Sequence, residues 1–252
     1  MTLSVIIPTQ CGRIPENLPS HSEVEVIIVR GVAPISAARN EGLKRATGEY
    51  VAWVDSDDEI SKEWLPSILK GLEAKPDVLS FDANVIWMNA KRYPYKIGGL
   101  SYAVDVMAER IIGQLWNKVI KRRLFEGLSF VGAMHEDYRI LCELLPRAKS
   151  FIHLDKVLYV YRRNSNGLSQ YGDVESGLKA ILELMSFSCN ASDKWRNEII
   201  KGAAQRAADF CRHAKSVPEL RAFIRKALPL IWTHMDLSFR TKIKCLCASL
   251  GI

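Results

Sequence analysis

Three carboxylates in four positions, Asp55-Ser56-Asp57-Asp58, directly follow the apolar run Tyr50-Val51-Ala52-Trp53-Val54. Acids held that close repel one another unless a cation offsets them. Carboxylate oxygens suit a hard divalent ion, Mn²⁺ or Mg²⁺, which keeps positions open for phosphate oxygens. The competing explanation is an acidic turn entering the helix that Ser61 would cap, favoured by the helix dipole. A second pair, Glu136-Asp137, opens a helical stretch that Pro146 ends. A carboxylate there could take a proton from an attacking hydroxyl. Read alone, it is more simply charge at a helix N-terminus.

The elements around these acids alternate strand and helix. Leu3–Ile7 and Val24–Val29 are short β-branched runs, and Tyr50–Val54 is a third. Such runs read as buried strands. Residues 10–23 carry Gly12, Pro15 and Pro19, so no regular helix is expected between the first two. Ser36 is placed as the N-cap of a helix closed by Gly48. Val78–Trp87 reads as strand, Lys91–Gly99 as a hairpin or loop, and Trp116–Phe125 and Glu136–Leu145 as helices. Phe151–Leu154 and Val157–Tyr161 read as strands about a turn. From Val174 onward the pattern is helical, with breaks at 190–193, Pro218 and Pro229. The class is α/β: residues 1–170 form the mixed domain, and 171–252 a helical C-terminal region.

Ser36-Ala37-Ala38-Arg39-Asn40-Glu41-Gly42-Leu43, Gly48-Glu49-Tyr50 and Asp55-Ser56-Asp57-Asp58 together resemble the core signature of family 2 glycosyltransferases, of the bacterial cell-surface polysaccharide type. Ser4-Val5-Ile6-Ile7-Pro8-Thr9, Trp116-Asn117-Lys118, Glu136-Asp137 and Tyr161-Arg162 followed by Ser169 resemble further family elements, in family order over residues 3–169. The resemblance implies a GT-A fold, with a mixed, mostly parallel sheet flanked by helices. It also implies a nucleotide-sugar donor, a divalent ion and inversion at the anomeric carbon. On that frame Asp57 and Asp55 hold the ion. Pro8, Thr9, Arg39, Asp55, Asp57, Trp116, Lys118 and Arg162 line the donor. Asp137, with Glu136 as alternate, is the base. Arginine suits phosphate through its planar fork of donors, although Arg39 is equally explained as a solvent-facing helix residue. Trp116 either stacks on a sugar face or belongs to the core.

The chain departs from the family pattern after the second strand. Val29-Arg30-Gly31-Val32 stands where an acidic D-D-G-S stretch is usual, and residues 8–36 are shorter than usual. A degenerate, non-catalytic relative that binds glycan or a partner enzyme is therefore the alternative. A haloacid-dehalogenase-type phosphatase fits worse, because its nucleophilic Asp usually lies on the first strand rather than the third.

Bulk properties fit a globular protein: 252 residues, 48% hydrophobic, 25% charged, net charge +7. Nearly all of the excess lies in residues 211–252, where eight cations face only Glu219 and Asp236. Interleaved with apolar residues, they suit an anionic membrane surface, where polyprenyl-linked acceptors reside, or else a solvated helix face. No nucleic acid partner is expected, and a homo-oligomer is left open. The six cysteines are scattered without a CxxC pair and read as reduced thiols. The opening apolar run is too short for a signal peptide, and no stretch reaches the ~20 apolar residues of a spanning helix. The expected location is cytoplasmic, peripheral on the inner face of the plasma membrane.

Overall fold

The computed structural model describes residues 2–18, 20–86, 92–95, 114–132, 134–162, 174–190, 193–213, 216–233 and 239–251. The chain forms two compact units. One comprises Met1–Gly99, Gln114–Gly132 and Glu143–Gly167; the other Leu100–Gly113, Ala133–Cys142 and Leu168–Ile252.

The first unit is built on a mixed sheet. Its strands are β1 (Leu3–Thr9), β2 (Val24–Arg30), β3 (Tyr50–Trp53), β4 (Glu59–Ile60), β5 (Val78–Ile86), β6 (Arg92–Tyr95), β7 (Lys118–Lys121) and β8 (Phe151–Arg162). The order is β2-β1-β3-β7-β5-β8-β4, with β6 beside β5. β1 runs parallel to β2 and β3, and β5 parallel to β8; the other pairings are antiparallel. β1 is buried along its whole length, which explains its mostly apolar sequence. Helix α1 (Ile35–Arg45) packs on β1 and β2, and α2 (Trp64–Leu72) on β5 and β8. Gly42 lets α1 approach β1: a Cβ there would meet Ile6 Cγ2 at 2.3 Å. Gly48 does the same for the turn into β3, where a Cβ would lie 2.7 Å from the Ser4 amide nitrogen.

Several local readings change. No helix forms over Trp116–Phe125; β7 occupies Lys118–Lys121 and a 3-10 turn follows at Arg122–Phe125. Val119 and Ile120 sit between β3 and β5, and this pairing outweighs helical spacing. Ser36 is not a cap: α1 starts at Ile35 behind Pro34, without a side-chain cap bond. Nor does Ser61 cap α2, which starts at Trp64 behind Glu63. The two short strands after Phe151 are one strand, β8, with a break in its ladder to β5. Residues 10–23 contain no helix among those described, as their prolines require. Ser169 and most of Lys91–Gly99 fall outside the described residues.

Asp77 ties three segments of this unit together. Its carboxylate accepts from the Lys149 amide at 2.7 Å and from Arg123 Nη2 at 2.6 Å, with Lys121 Nζ at 3.3 Å. Burial alone would raise its pKa; these donors outweigh burial and hold it below the ordinary carboxylate value. A lowered folded-state pKa contributes stability above the unfolded value of about 4, lost as pH falls through the folded one. Asp77→Asn is therefore expected to cost about 2–3 kcal/mol at pH 7 and to flatten the acid limb of stability. Urea unfolding from pH 7 to pH 3 measures both.

The second unit is helical: the first turns of α3 (Glu136–Leu144), then α4 (Val174–Cys189), α5 (Asp193–His213), α6 (Pro218–Thr233) and α7 (Phe239–Leu250). Ala203, Ala204, Ala207 and Ala208 give α5 a small-residue face, packed among Tyr138, Ile181, Phe210, Leu220 and Ile231. Pro218 starts α6 at a position suited to proline. The expected break at Pro229 is absent, since α6 runs through it and Ile224, Ala227 and Ile231 hold that stretch in the core. No helix among the described residues is long and apolar enough to cross a membrane.

Candidate active site

The order β2-β1-β3 has a physical consequence. The chain leaves β1 to one side and returns on the other, so a crevice opens at the carboxyl ends of β1 and β3. Open α/β sheets bind ligands at such a switch point. Pro8 and Thr9 end β1, and Asp55 follows β3 there, with the Val54 amide still donating to Ile6 O. Arg39 reaches the same place from α1: its Nη2 lies 3.6 Å from Asp55 Oδ1, and its side chain is 7% exposed. It is thus a buried cation at the acidic loop rather than a solvent-facing one. Its guanidinium also lies 5.9 Å from the centre of the Phe130 ring. Asn40 fixes Phe130 by a paired bond, donating to its carbonyl at 2.9 Å and accepting from its amide at 2.8 Å.

The aspartates divide by environment. Asp55 and Asp57 are half-buried, while Asp58 is 3% exposed. Asp58 accepts from Tyr159 Oη at 2.8 Å and from the Arg162 amide at 2.7 Å. Tyr159 Oη in turn accepts from the Asp55 amide at 3.0 Å. Burial, then the charges of Asp55 and Asp57, push Asp58 up to about 9 against these bonds, and burial raises Tyr159 as well. Asp58 thereby anchors the loop, while Asp55 and Asp57 stay half-buried beside it. Two carboxylates over a charge-crowded loop fit a hard divalent ion that takes its other ligands from phosphate and water.

Tyr159 was not singled out by its sequence, nor was Asn40; each acts on a partner about a hundred residues away in the chain. Trp116 lies flat on Tyr159, with ring centres 4.8 Å apart, and on Tyr161 at 5.7 Å. It is 4% exposed and so a core residue in this state. Lys118 is fully buried, with Nζ donating to Gln114 O at 2.6 Å and Asn117 Oδ1 at 2.7 Å. Arg162 gives its amide to Asp58 and its side chain to Glu59. Glu136 and Asp137 lie in the second unit, at the start of α3. Tyr159→Phe orphans the Asp55 amide and strips one donor from Asp58. A loss of about 1–3 kcal/mol is expected in urea unfolding, together with weaker Mn²⁺ binding in calorimetry.

The family model for glycosyl transferase family 2 matches residues 16–130, a segment that holds Arg39, the aspartate loop and Trp116–Lys118 and stops before Glu136. Over that segment the chain is similar to glycosyl transferase family 2. Among curated relatives, glycosyltransferase GlyA of Streptococcus pneumoniae is 30% identical over 171 residues, covering 61% of this chain and 24% of its own. The uncharacterized glycosyltransferase EpsJ of Bacillus subtilis is 26% identical, covering 65% and 52%. The chain thus spans about half or less of the length of these relatives. A crystal structure of S. aureus TarS 1-349 in complex with UDP-GlcNAc superposes with a TM-score of 0.54 at 17% identity, covering 99% of this chain and 89% of that one. The fold is GT-A, as the sequence resemblance implied.

One difference from the family pattern persists in space. Arg30, in place of the usual acid, lines an open groove of about 620 Å³ between the end of β2 and α1, along with Asn40, Glu41, Lys44 and Arg45. Its cationic lining suits an anionic ligand.

Proposed function

We propose that this chain is an inverting glycosyltransferase that moves a sugar from a nucleoside-diphosphate donor to a hydroxyl of a cell-surface glycan or lipid-linked acceptor. The observation that carries the reading is the convergence of Asp55 and Arg39 at the switch point of the sheet, above an Asp58 locked by Tyr159. Asp55 and Asp57 would hold Mn²⁺ or Mg²⁺, which neutralises charge on the departing diphosphate. Arg39 lends the same diphosphate a fixed cation, pre-set by its burial and its place over Phe130. Pro8 and Thr9 shape the floor of the crevice. Asp137 takes the proton of the attacking hydroxyl, with Glu136 behind it. Trp116, Lys118 and Arg162 support the pocket through Tyr159, Asn117 and Asp58.

The acceptor side is assigned to the helical region, residues 171–252. Much of its apolar sequence is spent on its own core, including Leu220, Phe223, Ile224 and Ile231. Trp232 and Phe239 remain exposed, at 45% and 72%, with the cationic Arg240 beside them. They are the residues through which the chain would rest on anionic lipid. Flotation with anionic vesicles is expected to fall for Trp232→Ala/Phe239→Ala; equal flotation removes this part of the reading.

The deciding experiment is a thermal-shift screen of nucleotide sugars with and without Mn²⁺, because a ligand that binds only the native state raises its melting point. One nucleotide sugar is expected to raise Tm only with the metal present. A flat response across the panel overturns the donor assignment and favours the degenerate, glycan-binding alternative.

A further inference from the structure

A second group of ligand-type side chains lies on β5 and β8, independent of the aspartate loop and of the transfer reaction. Ser80 and Asp82 lie two residues apart on β5, as His153 and Asp155 do on β8, and the parallel register sets Ser80 beside His153. The ladder then breaks: Phe81 pairs with Leu154, but Asp82 pairs with Val157, so Asp155 and Lys156 stand outside the pairing. Bulges of this kind re-aim side chains and recur beside functional sites. Here the break carries Asp155 back over His153. Nε2 of His153 lies 3.3 Å from Asp82 Oδ1 and 3.5 Å from Asp155 Oδ1, and its Nδ1 lies 2.9 Å from Ser80 Oγ. Among the described residues this is the group of three ligand atoms that all fall within 4.8 Å of one another.

The distances decide between two explanations. A protonated histidine clasped by two carboxylates would draw them to about 2.7–2.9 Å, the length of a charge-assisted N–H···O bond. Two ligands of a tetrahedral ion with 2.0–2.1 Å bonds lie about 3.3–3.4 Å apart, close to the 3.3 and 3.5 Å that separate His153 Nε2 from the two carboxylates. Burial agrees: the Asp82 and His153 side chains are 6% and 11% exposed, and Asp155 is 95% exposed, which leaves the open side of the group toward solvent. In the tautomer whose Nδ1–H donates to Ser80 Oγ, the ring is oriented and Nε2 carries the lone pair that a metal needs.

We propose that Asp82, His153 and Asp155 form a site for a divalent transition metal of the Zn²⁺ class. One imidazole with two carboxylates suits a borderline ion better than Mg²⁺. Three protein ligands leave a fourth position for water or a ligand oxygen. An ion there bridges β5 and β8 across the break in their ladder, where backbone hydrogen bonds are missing.

The test uses the full chain, stripped of metal, with Zn²⁺ by equilibrium dialysis and Co²⁺ by visible absorption. One ion per chain that depends on His153 is expected, beyond any held by the aspartate loop, with a rise in Tm. Asp155→Asn alters an exposed side chain and should leave circular dichroism unchanged while weakening binding by about tenfold or more. His153→Gln should abolish the Co²⁺ bands, and Asp57→Asn should retain them. Absence of binding, equal binding by Asp155→Asn, or loss in Asp57→Asn overturns the proposal. None of these readouts uses a nucleotide sugar, so their failure is distinct from failure of the transferase reading.

Discussion

Asp57→Asn is expected to lower the rate of nucleoside-diphosphate release by about 10²–10³-fold or more while leaving Tm unchanged. The two halves of that expectation rest on different features. The rate falls because transfer builds charge on the diphosphate, and Asp57 with Asp55 is the carboxylate pair proposed to hold the ion that offsets it. The fold survives because the loop is anchored elsewhere: Val54 donates to Ile6 O, the Asp58 amide to Asp55 O, and Tyr159 closes the loop through the Asp55 amide and the Asp58 carboxylate. Asp58→Asn provides the contrast. It alters a buried group that binds both Tyr159 Oη and the Arg162 amide, so its effect should appear first as lost stability. Assays of both variants at several Mn²⁺ concentrations, with melting curves beside them, separate the roles. Equal activity of Asp57→Asn and wild type would remove the metal from the proposed mechanism.

The same division marks what the sequence could show. The aspartate loop was legible because its cause is local: an apolar run of strand length followed at once by acids. Asn40 and Tyr159 were not, because their partners, Phe130 and Asp58, come near only after β3, β7 and β8 have paired. The strand Lys118–Lys121 was misread for a related reason. Four residues with a lysine at each end carry too little alternation to reveal a strand, and a fully buried Lys118 makes sense only once Gln114 and Asn117 are seen to accept from it. The Asp82–His153 group depends on a break in one ladder, which no period in the sequence announces. In this chain, groups of polar residues were readable where one segment supplies them and hidden where register between distant strands does.

Asp137→Asn is expected to reduce kcat by about 10²–10⁴-fold, the usual worth of a positioned general base, with donor KM and Tm little changed. The choice of Asp137 over Glu136 rests on exposure and on the rigidity of the turn that carries it. Glu136 is 6% exposed, whereas Asp137 is half-buried and its Oδ1 accepts from the Tyr138 amide at 2.8 Å. The next two residues pin this first turn of α3 within the helical unit. Arg206 lies 3.6 Å above the Tyr138 ring, and Arg139 stands 5.0 Å from the centre of Phe187. His135, just before, takes a left-handed backbone with φ of 57°, a conformation rare for a non-glycine residue and held only where its surroundings enforce it. A base must be held within hydrogen-bond reach of the proton it removes, and a turn fixed on both sides can do this without rearrangement. Glu136→Gln, at a buried position, should act mainly on stability. If Glu136→Gln abolishes turnover at unchanged Tm while Asp137→Asn keeps it, the base is Glu136, and Asp137 serves the helix end alone.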